Sequence, residues 1–264
     1  METLSLKREI LKYTKNPFKI FPRLAARIME PLGRFSALVW VRIRGVEEIR
    51  AGRRIFLFGA FGGRRYGDNS AALFEHIVEH HPEIDPYWVM RKDAYQVHLK
   101  SNLIPFPEKV VFKDAFRSNV LALIAECHIY SHGHYDVTDY PKKILGKTRL
   151  LLLGHGIGGF KKTILKILPS GHKIAGIAEG ADLVIASSEQ ELRIINREWN
   201  VPEGNIILTG LPRYDRLLRL SRDQEASGEA RILFMPTWRD WNSRRLSLKN
   251  SDFFRQIITF IVHS

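Results

Sequence analysis

Between about Arg53 and Leu208 the chain alternates short apolar runs with amphipathic stretches, and few folds accept that pattern. Residues 54–58, 87–90, 110–112, 128–131, 150–153, 183–186 and 206–208 are predicted strands. Helical spacing fills most of the gaps, including 116–125 and 189–199. Another helix is predicted to begin near Asn69, a residue type suited to an N-cap, with Leu73, Phe74, Ile77 and Val78 on one side. Strands that alternate with helices predict a mostly parallel sheet covered on both faces. Such sheets bind ligands beyond the carboxyl ends of their strands, so the loops that follow strands are where function is sought.

The flanking segments have a different texture. Residues 1–45 hold ten Lys or Arg against three Glu, a local excess of +7 within a chain of net charge +13. Phe21, Leu24, Ala25, Ile28 and Leu32 recur at helical spacing, while Pro17, Pro22 and Pro31 punctuate the pattern and predict short, broken helices. Apolar stripes flanked by Lys12, Lys15, Lys19, Arg23 and Arg27 suit an anionic membrane surface, and suit equally a helix packed on the domain that follows. No apolar run approaches the roughly 20 residues of a membrane span, and lysines interrupt every apolar stretch at the N-terminus. The single cysteine, Cys127, excludes an intramolecular disulfide and suits a reducing cytosol. The expected organisation is basic amphipathic helices (1–50), a Rossmann-like domain (51–212), a polar linker (213–230) and the start of a second domain (231–264). The last segment, at about 35 residues, is too short for an independent core.

The loop GHGIGGFKK at 154–162 follows the most apolar strand. Its glycines allow close approach to a phosphate, Lys161 and Lys162 add positive charge, and His155 has a side chain suited to accepting a proton from an attacking hydroxyl. Gly154, Gly156 and Gly159 also fit a dinucleotide-binding spacing, with Glu179 about 20 residues on, and a tight turn would need the same glycines. The glycine-rich loop at 59–69 places Gly59, Gly62 and Gly63 with Arg64 and Arg65 facing an anion, but lacks the ending of a nucleotide-hydrolysing P-loop. His132, His134 and Asp136 alternate and would share one face of an extended segment, as part of a metal site would. No other ligand cluster supports a metal, and none is expected. Arg213 and Arg239 each follow a strand, where a guanidinium can pair bidentately with phosphate or form a plain ion pair. There is no nucleophile elbow, and no set of basic and aromatic residues that marks nucleic-acid binding.

Taken together, "FG…G…Y.DN" from Phe58, "HG….KK" from His155, "ADLVIASSEQE", "GLPRYD" and "PTWRD" run in an order that resembles the CDP-glycerol:polyglycerophosphate glycerophosphotransferase family. The resemblance implies a GT-B frame, two Rossmann-like domains with the active site between them, here one near-complete domain and a truncated second. It implies a CDP-polyol donor (CDP-glycerol or a relative such as CDP-ribitol), a lipid-linked teichoic-acid-like acceptor, and CMP as the leaving group. No cofactor is implied. The enzyme would be peripheral on the cytoplasmic face of the cell membrane, serving cell-wall synthesis. His155 would be the base. Lys161 and Lys162 would hold phosphates, and Thr237 and Arg239 would approach the donor. Gly59, Gly62, Gly63, Asn69, Gly156, Arg213 and Asp215 complete the expected binding set.

Gly154 stands where the family usually has tryptophan, and GIGGF replaces its usual "Gtpl". The family's histidine-proline loop and "DYSS"-like stretch, which bind the donor, do not occur before Ser264. The expectation is therefore an incomplete enzyme with weak donor binding and slow turnover. A GT-B glycosyltransferase using a nucleotide sugar and a non-catalytic membrane-binding module are the alternatives.

Overall fold

The computed structural model describes residues 20–157, 165–167, 171 and 173–223, with side chains left undescribed at 20–28, 165, 166, 220, 222 and 223. The chain divides into two compact units, Met1–Arg222 and Asp223–Ser264, and the sheet that organises the fold lies in the first. In order the chain runs α1 (Ile20–Arg44), α2 (Val46–Arg50), β1 (Arg54–Gly59), α3 (Asp68–His80), β2 (Ile84–Met90), α4 (Lys92–Lys100), β3 (Val110–Phe112), α5 (Phe116–Ile124) and β4 (Cys127–Tyr130). Then come β5 (Arg149–Leu152), β6 (Leu165–Ile167), β7 (Lys173–Ala175), β8 (Leu183–Ala186), α6 (Glu189–Glu198), β9 (Ile206–Leu208) and α7 (Pro212–Asp223).

Seven strands form one sheet in the order β3-β2-β1-β4-β5-β8-β9, and every pairing in it is parallel. The chain steps outward in one direction from β1 to β3 and in the other from β4 to β9. The direction reverses between β1 and β4, which is where parallel sheets open a crevice for ligands. Gly59 lies opposite Tyr130, and Tyr130 opposite Leu152, so the loops after β1, β4 and β5 leave the sheet at one level.

Period-two alternation in β1 serves two cores at once. Ile55 and Leu57 enter the layer beneath α1 and α5 with Val41, Leu121 and Ile124, while Phe58 enters the layer beneath α3 with Phe74, Trp88 and Met90. Phe58, Phe74 and Trp88 meet edge-on, and each is fully buried, contributing about 1.5–3 kcal/mol through the hydrophobic effect. The predicted Rossmann-like sheet is present, and all seven of its strands coincide with the predicted runs.

Three local readings are corrected. The prolines do not break the N-terminal helix: α1 is continuous over 25 residues with Pro31 inside it. Pro22 falls in the first turn, where N–H groups lack helical partners anyway. The hydrogen bond lost at Pro31 is offset by tertiary contacts nearby: Ala37 and Val41 are buried, Tyr140 Oη–H donates to the Arg34 carbonyl at 2.6 Å, and Arg34 pairs with Asp114 at 3.2 Å. Asn69 is not an N-cap, since Gly67 holds that position and the helix starts at Asp68. The polar stretch after Arg213 is helical through Asp223, because Leu211 is buried and Tyr214 packs on the α3-side core while the charged residues face outward. Two elements were not anticipated: α4, which packs on the core only through half-buried Ala94 and Tyr95, and the three-residue hairpin of β6 with β7.

Candidate active site

The site grows out of the β1/β4 crevice. After β4 the chain turns tightly at His134–Asp136 and buries the Asp136 carboxylate completely. Gly59 permits this, because a Cβ there would lie 2.4 Å from the Asp136 carbonyl oxygen. The Gly62 N–H donates to Asp136 Oδ1 at 2.7 Å and the His132 N–H donates to Oδ2 at 2.8 Å. Burial alone would raise this carboxyl's pKa. Hydrogen bonds from the His132 side chain and from these backbone groups outweigh burial and hold it below the ordinary value, so Asp136 stays ionised. The β1 loop thus satisfies its Gly62 N–H on an internal carboxylate rather than on a free phosphate.

His132 is the hub. Its Nδ1 accepts from the Phe61 N–H at 3.3 Å and lies 3.5 Å from Asp136 Oδ2, while Nε2 is 3.7 Å from Asp68 Oδ2. A neutral ring protonated at Nε2 uses the Phe61 contact; an imidazolium uses both carboxylates. The ring stacks on His155, with centroids 4.7 Å apart and planes 4° apart, and its other neighbour is Phe61 at 4.1 Å. His155 itself is exposed. A backbone turn with Gly154 at φ 68° presents it after β5.

Asn69, fully buried at the start of α3, joins three loops. Its Nδ2 donates to the Gly154 carbonyl at 3.0 Å, and its Oδ1 accepts from the Arg213 N–H at 3.3 Å. Arg213 Nη1 donates to Asp68 Oδ1 and to the His155 carbonyl, both at 3.2 Å. Beneath them Ser70 and Ser131 hydroxyls meet at 2.8 Å and tie α3 to β4. The result is an exposed imidazole on a rigid floor, with one guanidinium at the rim and two fixed carboxylates behind. A hydroxyl placed against His155 would find a proton acceptor held by backbone and ring contacts.

Of the expected residues, Gly59, Gly62, Asn69, Gly156, His155 and Arg213 come together here. Gly63, at φ 76°, sits beside Arg91 at the outer end of the β1 loop. Asp215 lies on the far side of α7, in a groove shared with His76 and Arg216. Lys161, Lys162, Thr237, Arg239, Lys12, Lys15 and Lys19 fall outside the described residues, and Arg23 and Arg27 lie in α1 without described side chains. The alternating metal-type reading of His132, His134 and Asp136 fails because 134–136 is a turn, not extended chain. His134 leaves the crevice to bond fully buried His128 (Nε2 to Nδ1, 3.0 Å), whose own Nε2–H donates to the Ala122 carbonyl. Among the described residues no group of three or more metal-type ligands assembles. Asp68, Ser70 and Ser131 were not anticipated, although each sits at a strand end or helix start on the crevice.

The model of the CDP-Glycerol:Poly(glycerophosphate) glycerophosphotransferase family matches residues 46–260, most of the chain. The chain belongs to that family. It is 26% identical over 179 residues to the minor teichoic acid biosynthesis protein GgaB of Bacillus subtilis, covering 65% of this chain and 18% of that protein. It is 23% identical over 214 residues to the teichoic acid poly(glycerol phosphate) polymerase of the same organism, covering 71% and 26%. The chain therefore spans about a quarter or less of these family members. Among solved structures it resembles the wall teichoic acid polymerase TagF soaked with CDPG, with a TM-score of 0.50 and 16% identity over 84% of this chain and 52% of that one. That likeness supports the GT-B assignment of the fold. Among the described residues no helix is long and apolar enough to cross a membrane.

Proposed function

We propose that this chain takes part in transferring glycerol phosphate, or a related polyol phosphate, from a CDP-activated donor to a membrane-linked teichoic-acid-like acceptor, with release of CMP. His155 is the general base: it removes the proton from the acceptor hydroxyl as that oxygen attacks the phosphorus bearing the polyol, and CMP leaves with the electron pair of the broken phosphate bond. The observation that carries this reading is the exposed His155 ring, stacked on His132 and anchored through its carbonyl by Arg213, at the β1/β4 crevice of a chain in the glycerophosphotransferase family. Phosphoryl transfer needs positioning and charge neutralisation more than covalent chemistry, and a fixed imidazole beside a guanidinium supplies the positioning part. Lys161, Lys162, Thr237 and Arg239 complete the proposed phosphate and donor contacts.

The acceptor's membrane is met by α1. Met29, Leu32, Phe35, Val39, Trp40 and Ile43 fall on one exposed face of that helix, an apolar stripe suited to lying in the headgroup region. The test is CMP release from CDP-glycerol with a glycerophosphate-primed lipid acceptor, for the chain and for His155→Ala. Release that drops at least about a hundredfold in the variant supports the reading. UDP or GDP release from a nucleotide sugar would identify a glycosyltransferase instead. Vesicle binding with turnover of neither donor class would leave a membrane-binding module.

A further inference from the structure

We propose that Arg64, Arg65, Arg91 and Lys92 form a binding track for the phosphodiester backbone of the growing polymer, leading across the carboxyl ends of β1 and β2 to His155. The identity of the polymer rests on the proposed transfer reaction; the track itself is read from the structure. The loops after β1 and β2 are in direct contact. The Arg91 N–H donates to the Gly63 carbonyl at 2.7 Å, and a Cβ on Gly63 would lie 3.4 Å from the Arg91 Cγ. Gly63, in the left-handed region, therefore lets the loop that carries Arg64 and Arg65 close on the loop that carries Arg91 and Lys92.

These cations are available. Arg64, Arg65 and Lys92 are exposed, and no described carboxylate lies within ion-pair distance of them. Arg91 meets Asp93 only at 3.9 Å, and Asp93 is 86% exposed. Neighbouring cations are not available: Lys113 is buried against the Tyr135 carbonyl and Asp139, and Arg213 is engaged by Asp68. The track also has a direction. Arg65 sits 5.5 Å over the Phe61 ring, Phe61 touches His132, and His132 stacks on His155, so three successive ring contacts connect the cations to the base.

The far end of the same edge faces α1. Arg34 of that helix pairs with Asp114 after β3 and with Asp139 at 3.5 Å. A polyanion tethered at the α1 face would cross the four cations before its terminal hydroxyl reached His155. Exposed cations spaced along an edge bind a flexible polyanion through many weak, salt-sensitive contacts rather than one pocket.

The experiment measures binding of the full chain to a fluorescein-labelled synthetic hexamer of glycerol phosphate by anisotropy over a series of salt concentrations. The quadruple variant Arg64→Glu, Arg65→Glu, Arg91→Glu, Lys92→Glu is compared with a control that reverses Lys143, Lys147, Lys173 and Arg197, exposed cations outside the loops after β1 and β2. Circular dichroism confirms that both stay folded, and a quadruple Gln variant tests loss of charge without reversal. We expect the track variant to weaken hexamer binding at least about tenfold with a shallower salt dependence, and the control to change it less than about twofold. Equal losses in the two variants, or none in either, would overturn the proposal. So would loss of binding to anionic vesicles with hexamer binding retained, which would assign the cations to lipid headgroups. If the track variant loses the hexamer yet no CMP is released, the transferase reading fails alone; if CMP is released and the track variant binds normally, the track fails alone.

Discussion

The buried His128–His134 pair makes a sharp prediction about acid stability. Burial pushes the His134 imidazole down to about 4 from an ordinary 6.5, with Lys142 adding to the shift and Asp139 opposing it. His128, buried more deeply and facing His134, is held well below the ordinary value too. Both rings are therefore neutral in the folded chain at pH 5, while in the unfolded chain both are mostly protonated. The unfolded state then binds more protons, so stability is full above about pH 6.5 and falls as the pH drops toward the folded-state values. For His134 alone, a shift from 6.5 to about 4 corresponds to a loss of about 2 kcal/mol between pH 7.5 and pH 5. The assay is urea unfolding at the two pH values for the natural chain and for His134→Asn. The variant is less stable at both, having lost a buried hydrogen bond. Its drop between the two pH values should nonetheless be smaller than that of the natural chain by about 2 kcal/mol. Equal drops would show that His134 titrates normally in the fold, and the reasoning from burial would be wrong.

Three further outcomes are expected. Gly59→Ala drives a methyl into the Asp136 carbonyl at 2.4 Å and should cost about 1–3 kcal/mol in urea unfolding, whereas Gly204→Ala, with open space around it, should be close to neutral. Asn69→Ala leaves the Gly154 carbonyl and the Arg213 N–H without this partner and should cost about 1–3 kcal/mol, with faster hydrogen exchange at the Arg213 amide. Phe35→Asp with Ile43→Asp on the exposed stripe of α1 should weaken binding to anionic vesicles by about tenfold or more in a flotation assay, with the fold unchanged by circular dichroism.

The sheet is legible in the sequence because its strands are short apolar runs set between amphipathic stretches, and a parallel strand buried on both faces has little other way to be written. Elsewhere the signal is missing or misleading. α4 is short and packs on the core only through half-buried Ala94 and Tyr95, and α1 looks broken because proline is a local signal while the contacts of Arg34, Ala37 and Val41 that hold the helix together are distant. For the site, the loops are visible but the wiring is not. His155 and Arg213 stand out as chemistry-bearing residues in glycine-rich turns. His132 draws attention for a metal, because spacing of two suggests a shared face only if the chain is extended, and here it is a turn. Asn69 has the composition of a cap, and nothing in the sequence shows that its amide reaches residues 85 and 144 positions away.

That reach has a consequence for how the site can change over generations. Asn69 grips a carbonyl on one loop and an N–H on another, groups that every residue except proline offers alike. Apart from Gly154, whose φ of 68° favours glycine, the segments it pins can exchange their side chains without loosening the frame. Substrate preference in this architecture is thus free to drift by editing side chains around a pin indifferent to them, and the change that would undo it is the loss of the pin.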